Sequence, residues 1–132
     1  MTRAECDALV VRARAARQRA YAPYSKYLVG AALLGVDGVI YEGCNVENAS
    51  YGGTICAERT AVVRAVASGC RQFRAIAITT SSPKPAPPCG FCLQVMSEFA
   101  SDLPIILSAP KGPWKLTNIR KLLPMAFVKK DL

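Results

Sequence analysis

Leu28-Val29-Gly30-Ala31-Ala32-Leu33-Leu34-Gly35-Val36-Asp37-Gly38-Val39-Ile40-Tyr41 reads as two strands joined by a tight turn. Leu28 to Leu34 is a nearly continuous apolar run that ends at Gly35. Asp37-Gly38 is a turn pair, and Val39-Ile40-Tyr41 resumes the extended pattern beyond it. Upstream, Leu9, Val10, Ala13 and Ala16 recur at helical spacing and predict an opening helix. Tyr21 to Ser25 reads as the loop between that helix and the hairpin. Downstream, Asn45 and Glu47 stand two residues apart, which on a strand turns both side chains to one face. Gly52-Gly53 breaks the pattern, and Thr54 reads as the N-cap of a second helix. That helix carries Ala57, Ala61 and Ala65 with Val62 and Val66 beside them, and stops at Ser68-Gly69. A short buried strand over Ala75 to Thr79 follows. The proline-rich Ser82 to Pro88 is a stiff loop before a third helix from about Gly90 to Phe99. Pro104 to Leu107 begins another strand, and Ile119 to Leu123 forms a last helix stopped by Pro124. Strands alternating with helices favour a layered α/β domain.

The chain of 132 residues reads as one domain, residues 1–132, large enough to bury a core. About half its residues are apolar, yet no uninterrupted run is long enough to cross a bilayer. Met1 to Ala20 lacks the order of a signal peptide. Its arginines suggest a transit peptide, but Glu5, Asp7 and the helical spacing argue otherwise. A cytoplasmic protein is the expectation. The terminal Lys129-Lys130-Asp131-Leu132 resembles a retention signal only superficially. The net charge of +8 is scattered along the chain with no basic run interleaved with aromatics, so a soluble basic surface is favoured over a nucleic-acid footprint.

Six cysteines in a cytoplasmic chain point to metal ligands or small buried hydrophobes. Cys56-Ala57-Glu58 and Pro88-Cys89-Gly90-Phe91-Cys92 place thiols at two predicted helix starts. There the unpaired amides and the positive dipole end favour anions and lower thiol pKa values. A catalytic zinc keeps three protein ligands and one open position. The chain has no histidine, so such a site must be all-thiolate. Glu58, two residues after Cys56, points away from it and need not be a ligand. A carboxylate beside the open position can take a proton from the attacking water and return it to a substrate. Three plainer readings stand beside this one. Glu58 could simply favour its helix N-terminus. Cys44 or Cys70 could complete a closed structural zinc site, and Cys89 and Cys92 could form a redox pair. Cys6, Cys44 and Cys70 show no ligand spacing and read as structural.

The arrangement resembles a wider family. From Tyr21 to Phe127 the chain is similar to the small, homotetrameric cytidine deaminases. The resemblance is carried by Tyr21 to Tyr27, Val29 to Leu33, Gly43 to Gly52, Thr54 to Ala61, Pro88 to Cys92 with Gln94-Val95, Leu122 to Pro124, and Phe127. It also fits the zinc deaminase signature in its three-cysteine form. The resemblance implies a three-layer α/β/α fold around a mixed, roughly five-stranded sheet. It implies one zinc per subunit on Cys56, Cys89 and Cys92, with Glu58 as proton shuttle and Arg59 offsetting thiolate charge. Asn45 and Glu47 would hold the ribose hydroxyls, the Ala57 amide would meet the pyrimidine, and Tyr27 would line the pocket. Tyr51 and Phe127 would reach a neighbouring subunit's pocket. Taken alone, Asn45 and Glu47 could be a polar strand end, and the aromatics core residues.

The implied activity is hydrolytic deamination of cytidine and deoxycytidine, in pyrimidine salvage, with a small nucleoside as partner and neither membrane nor nucleic acid. Deamination of a blasticidin-type antibiotic or of a base in tRNA, and a non-enzymatic zinc module, are the alternatives. One departure stands out. Leu93 occupies the position where the family usually carries a second charge-compensating arginine. A more electron-rich metal and a less acidic water are expected from that change.

Overall fold

The computed structural model describes residues 1–132. Its first helix, α1 (Arg3–Arg17), buries Cys6, Leu9, Val10, Ala13 and Ala16, which is the predicted face with one cysteine added. Strands β1 (Val29–Gly35) and β2 (Ile40–Cys44) pair antiparallel through the turn at Gly38, whose φ of 81° glycine adopts at little cost. Then come α2 (Ala57–Ala67), β3 (Phe73–Thr80), α3 (Gly90–Phe99), β4 (Pro104–Ser108), β5 (Lys115–Asn118) and α4 (Ile119–Leu122). The sheet order is β2-β1-β3-β4-β5. Only β3 and β4 run parallel, joined by a crossover through α3, so the sheet is mixed and five-stranded as expected.

The period of two along each central strand builds the layers. Ala31, Leu33, Ile76, Ile78, Ile105 and Leu107 pack with the buried faces of α2 and α3. Their sequence neighbours Ala32, Leu34, Ala75, Ala77 and Ile106 pack with Cys6, Leu9, Val10 and Ala13 of α1. Helices therefore cover both faces of the sheet. The α1 side is lined mostly by alanine and the other side by large aliphatics.

Two glycines set how closely the helices lie. A Cβ on Gly30 would fall 2.1 Å from the Ala13 carbonyl oxygen and 2.3 Å from the Arg17 amide nitrogen in α1. A Cβ on Gly43 would fall 2.5 Å from both the Ala57 oxygen and the Ala61 nitrogen in α2. Each helix therefore rests on bare strand backbone, from opposite faces and adjacent strands.

The structure departs from the sequence reading at two places. Strand β5 had no signal, because Lys115, Leu116, Thr117 and Asn118 form a half-exposed edge bonded only to β4. Thr54 is not the cap of α2. Tyr51–Gly53 forms a 3-10 turn that Thr54 closes, Ile55 pairs back to Val46, and the cap position falls to Cys56.

Candidate active site

The first turns of α2 and α3 converge. Cys56 caps α2 with φ −71° and ψ 154°, and Cys89 caps α3 with φ −70° and ψ 165°. Neither side chain makes a capping hydrogen bond, so both thiols are left to other partners. With Cys92, in the first turn of α3, they bring three Sγ atoms within 4.8 Å of one another. Cys89 donates to Cys92 at 3.6 Å. Cys92 is fully buried, Cys56 half-buried and Cys89 exposed.

These thiols compete for protons. The neighbouring Cys92 thiol pulls Cys56 well below the usual thiol range, against the effect of burial and with help from Arg59. The same contact, with burial, pushes Cys92 up. Three sulfurs this close cannot all carry negative charge unaided, a conflict that a cation among them removes. Zinc suits the set: bonds of about 2.3 Å in a tetrahedron separate sulfurs by about 3.8 Å. Cys44 and Cys70 stand apart, donating to the backbone oxygens of Arg19 at 3.6 Å and Gln72 at 3.3 Å. No fourth thiol joins the cluster, which argues against a closed structural site.

Glu58 is 5% exposed beside this cluster. Burial pushes its carboxyl up to about 7, its own backbone amide opposes that, and the Cys56 thiolate adds to it. A carboxyl poised there can accept and release protons near neutrality.

A cleft of about 310 Å³ opens onto Cys56, Ala57, Glu58 and Cys89. Tyr27, Asn45 and Glu47 line it. The two polar residues follow the end of β2, on either side of the isolated bridge at Val46 rather than on a strand, and both reach the cleft. Both are already engaged with the loop before β1. Asn45 donates to the Tyr27 carbonyl at 2.8 Å and accepts from the Val29 amide at 2.9 Å. Glu47 accepts from the amides of Tyr24 at 3.0 Å and Ser25 at 3.1 Å, and from the Ser25 hydroxyl. These bonds hold Lys26 at φ 61°, a left-handed conformation that costs a non-glycine residue about 1 kcal/mol. Asn45 keeps a free amide proton, and the Glu47 oxygens keep lone pairs toward the cleft.

Other residues fall elsewhere. Tyr51 is exposed and lies in an adjoining depression of about 320 Å³ with Tyr24, Ser25, Glu47 and Thr54. Its ring meets Tyr24 at 5.9 Å. Phe127 lines neither hollow. Its exposed ring belongs to a tail tied to α3, where the Gln94 amide donates to the Phe127 carbonyl at 2.6 Å and accepts from its N–H at 3.1 Å. Arg59 lies outside the cleft and donates to Cys56 Sγ at 3.4 Å. Leu93 is 5% exposed in the main core, so it supplies packing rather than charge. Ser25, Thr54, Thr80 and Pro88 also line the cleft. Pro88 was marked only by its place before Cys89. Ser25 and Thr54 lie in stretches that carry the family resemblance but have no site role assigned by it, and Thr80 carries no signal.

Three thiols able to hold a metal ion, set beside a buried carboxyl at a polar-rimmed cleft, fit a metal-dependent hydrolytic enzyme. Residues 4–107 match the family model described as the cytidine and deoxycytidylate deaminase zinc-binding region. The chain is 48% identical to a cytidine deaminase of Sporosarcina psychrophila, across 97% of this chain and 95% of that one. It is 46% identical to a cytidine deaminase of Halalkalibacterium halodurans, across 94% and 95%. Among solved structures, the cytidine deaminase of Burkholderia pseudomallei superposes with a TM-score of 0.89 at 48% identity, covering 96% of this chain and 100% of that one. The chain belongs to the cytidine and deoxycytidylate deaminase family.

Proposed function

We propose that this protein hydrolyses cytidine and deoxycytidine to uridine and deoxyuridine, releasing ammonia. The observation that carries the reading is the buried Glu58 carboxyl lining a nucleoside-sized cleft beside the three clustered thiols. Family membership supports the same reaction.

Cys56, Cys89 and Cys92 would hold one zinc ion per subunit. When bound, zinc supplies a Lewis acid that makes water a nucleophile near neutral pH. Glu58 takes the proton from the attacking water and delivers it to ring N3 as C4 is attacked. Glu58 then carries a second proton to the amine, which leaves as ammonia while C4 becomes a carbonyl. Cytidine and one water thus give uridine and ammonia. The Ala57 amide, unpaired in the first turn of α2, donates to the pyrimidine. Asn45 and Glu47 use their free proton and lone pairs on the ribose hydroxyls, while the loop they brace carries Tyr27 into the cleft.

The enzyme acts as a homotetramer in the cytoplasm, in pyrimidine salvage. Tyr51 and Phe127, exposed on one subunit, complete a neighbour's cleft. No helix is long and apolar enough to cross a membrane. The purified protein should contain zinc and release ammonia from cytidine and deoxycytidine, but not from adenosine, blasticidin or tRNA. Zinc binding without ammonia from either cytidine nucleoside would overturn the reading.

A further inference from the structure

The thiol cluster receives a hydrogen bond from one cation. Arg59 donates from Nη2 to Cys56 Sγ at 3.4 Å and from the same nitrogen to the Thr54 carbonyl at 3.4 Å. The carbonyl contact is long for an N–H donor, and Arg59 Nε is buried with no partner at all. A guanidinium is ordinarily pinned by a two-pronged bond to a carboxylate or phosphate, and Arg59 has none. Hydrogen bonding alone therefore holds it weakly, and a long flexible side chain gains freedom by swinging into water.

Phe91 closes that escape. Its ring lies over Arg59, with Cζ 4.2 Å from the ring centroid, well inside the range of a cation–π contact. Phe91 is 64% exposed and belongs to neither core cluster, so core packing does not explain a large apolar residue here. It sits between Cys89 and Cys92, in the turn that supplies two of the three thiols. The neighbouring Leu93 adds no charge. Zinc with three thiolates sums to a net charge of −1, which makes this single guanidinium valuable to the cluster.

We propose that Phe91 is a positioning residue that stacks on Arg59 and holds its guanidinium against the thiols, so that the cluster retains its zinc. The inference rests on the reading of Cys56, Cys89 and Cys92 as zinc ligands. The ring presents its negative face to the cation, keeps water off it, and offsets the missing partner at Nε.

The test is zinc release from the loaded protein to a coloured chelator at fixed pH. Phe91→Leu keeps an apolar side chain without a π-face, and Phe91→Trp keeps the face. Phe91→Leu should release zinc about fivefold faster, while Phe91→Trp should release it no faster than wild type. In an Arg59→Gln background, Phe91→Leu should change nothing further. Wild-type release rates in Phe91→Leu, or a speed-up undiminished in Arg59→Gln, would overturn the role. Wild-type protein that binds no zinc would instead sink the reading of the thiols, and the inference with it.

Discussion

The N-termini of α1 and α2 begin with nearly the same backbone and do opposite things with it. Thr2 caps α1 at φ −79° and ψ 162°, and Cys56 caps α2 at φ −71° and ψ 154°. At α1 a capping box closes on itself: Thr2 Oγ1 accepts from the Glu5 amide, and Glu5 Oε1 accepts from the Thr2 amide, each at 3.1 Å. At α2 no side chain caps, and the glutamate sits one position earlier, where it cannot reach back. Bonds to the Thr2 backbone and hydroxyl hold the Glu5 carboxyl below its usual range, whereas burial drives Glu58 up to about 7. A helix start can be sealed for stability or left open for chemistry. Moving one glutamate by one position, and exchanging hydroxyl for thiol, makes the difference.

Cys56→Ser should break this contrast most severely. Serine is a better cap than cysteine, so the metal-free protein should fold at least as stably in urea. Zinc content and ammonia release should nevertheless both collapse, because the site has no spare thiol. Next comes Glu58→Gln, which leaves the thiols intact. Zinc by atomic absorption should match wild type while kcat falls by about 10²- to 10⁴-fold. A kcat within tenfold of wild type would remove Glu58 from its role.

Gly43→Ala tests whether the open helix start also needs its height above the sheet. The added methyl meets α2 backbone at 2.5 Å, and a cost of about 3 kcal/mol in urea melts should come with lowered kcat. Thr2→Ala, at the sealed end, should cost about 1 kcal/mol and leave kcat and KM alone. The smallest effect is a pH dependence. Because folding lowers the Glu5 pKa, its contribution is present above about pH 4.5 and is lost as pH falls through the folded value. Glu5→Gln keeps a capping amide without a titrating group. The urea midpoint difference between wild type and Glu5→Gln should therefore shift in the variant's favour on acidification, and a constant difference from pH 7 to pH 3 would refute the assignment.

Much of this contrast was legible in the residues themselves. The spacing of Leu9, Val10, Ala13 and Ala16 revealed the face of α1. Gly90 to Phe99 bounded α3 correctly, and the two cysteine motifs marked the converging helix starts. What escaped depended on partners distant in the chain. Strand β5 exists because β4 offers it a hydrogen-bonding edge, not because its residues alternate. The cap of α2 was misplaced because the pairing of Val46 with Ile55 takes up residues that otherwise read as the helix approach. Asn45 and Glu47 were readable as a pair, but their bonds to the loop before β1 follow from the hairpin's return. Phe91 and Arg59 gave no hint of each other, since two helices must meet before ring and guanidinium do.

Gly30 and Gly43 leave one part of the domain where helix, strand and helix come together with almost no side chains between them. Elsewhere in the core an ill-fitting substitution can be rescued by trimming a neighbour, because neighbours have atoms to give up. Here the atoms in the way are carbonyl oxygens and amide nitrogens, which no codon changes. Genetic selections for second-site suppressors should recover partners for damaged aliphatic positions such as Ile76 or Leu33, and should return only true revertants at these two glycines.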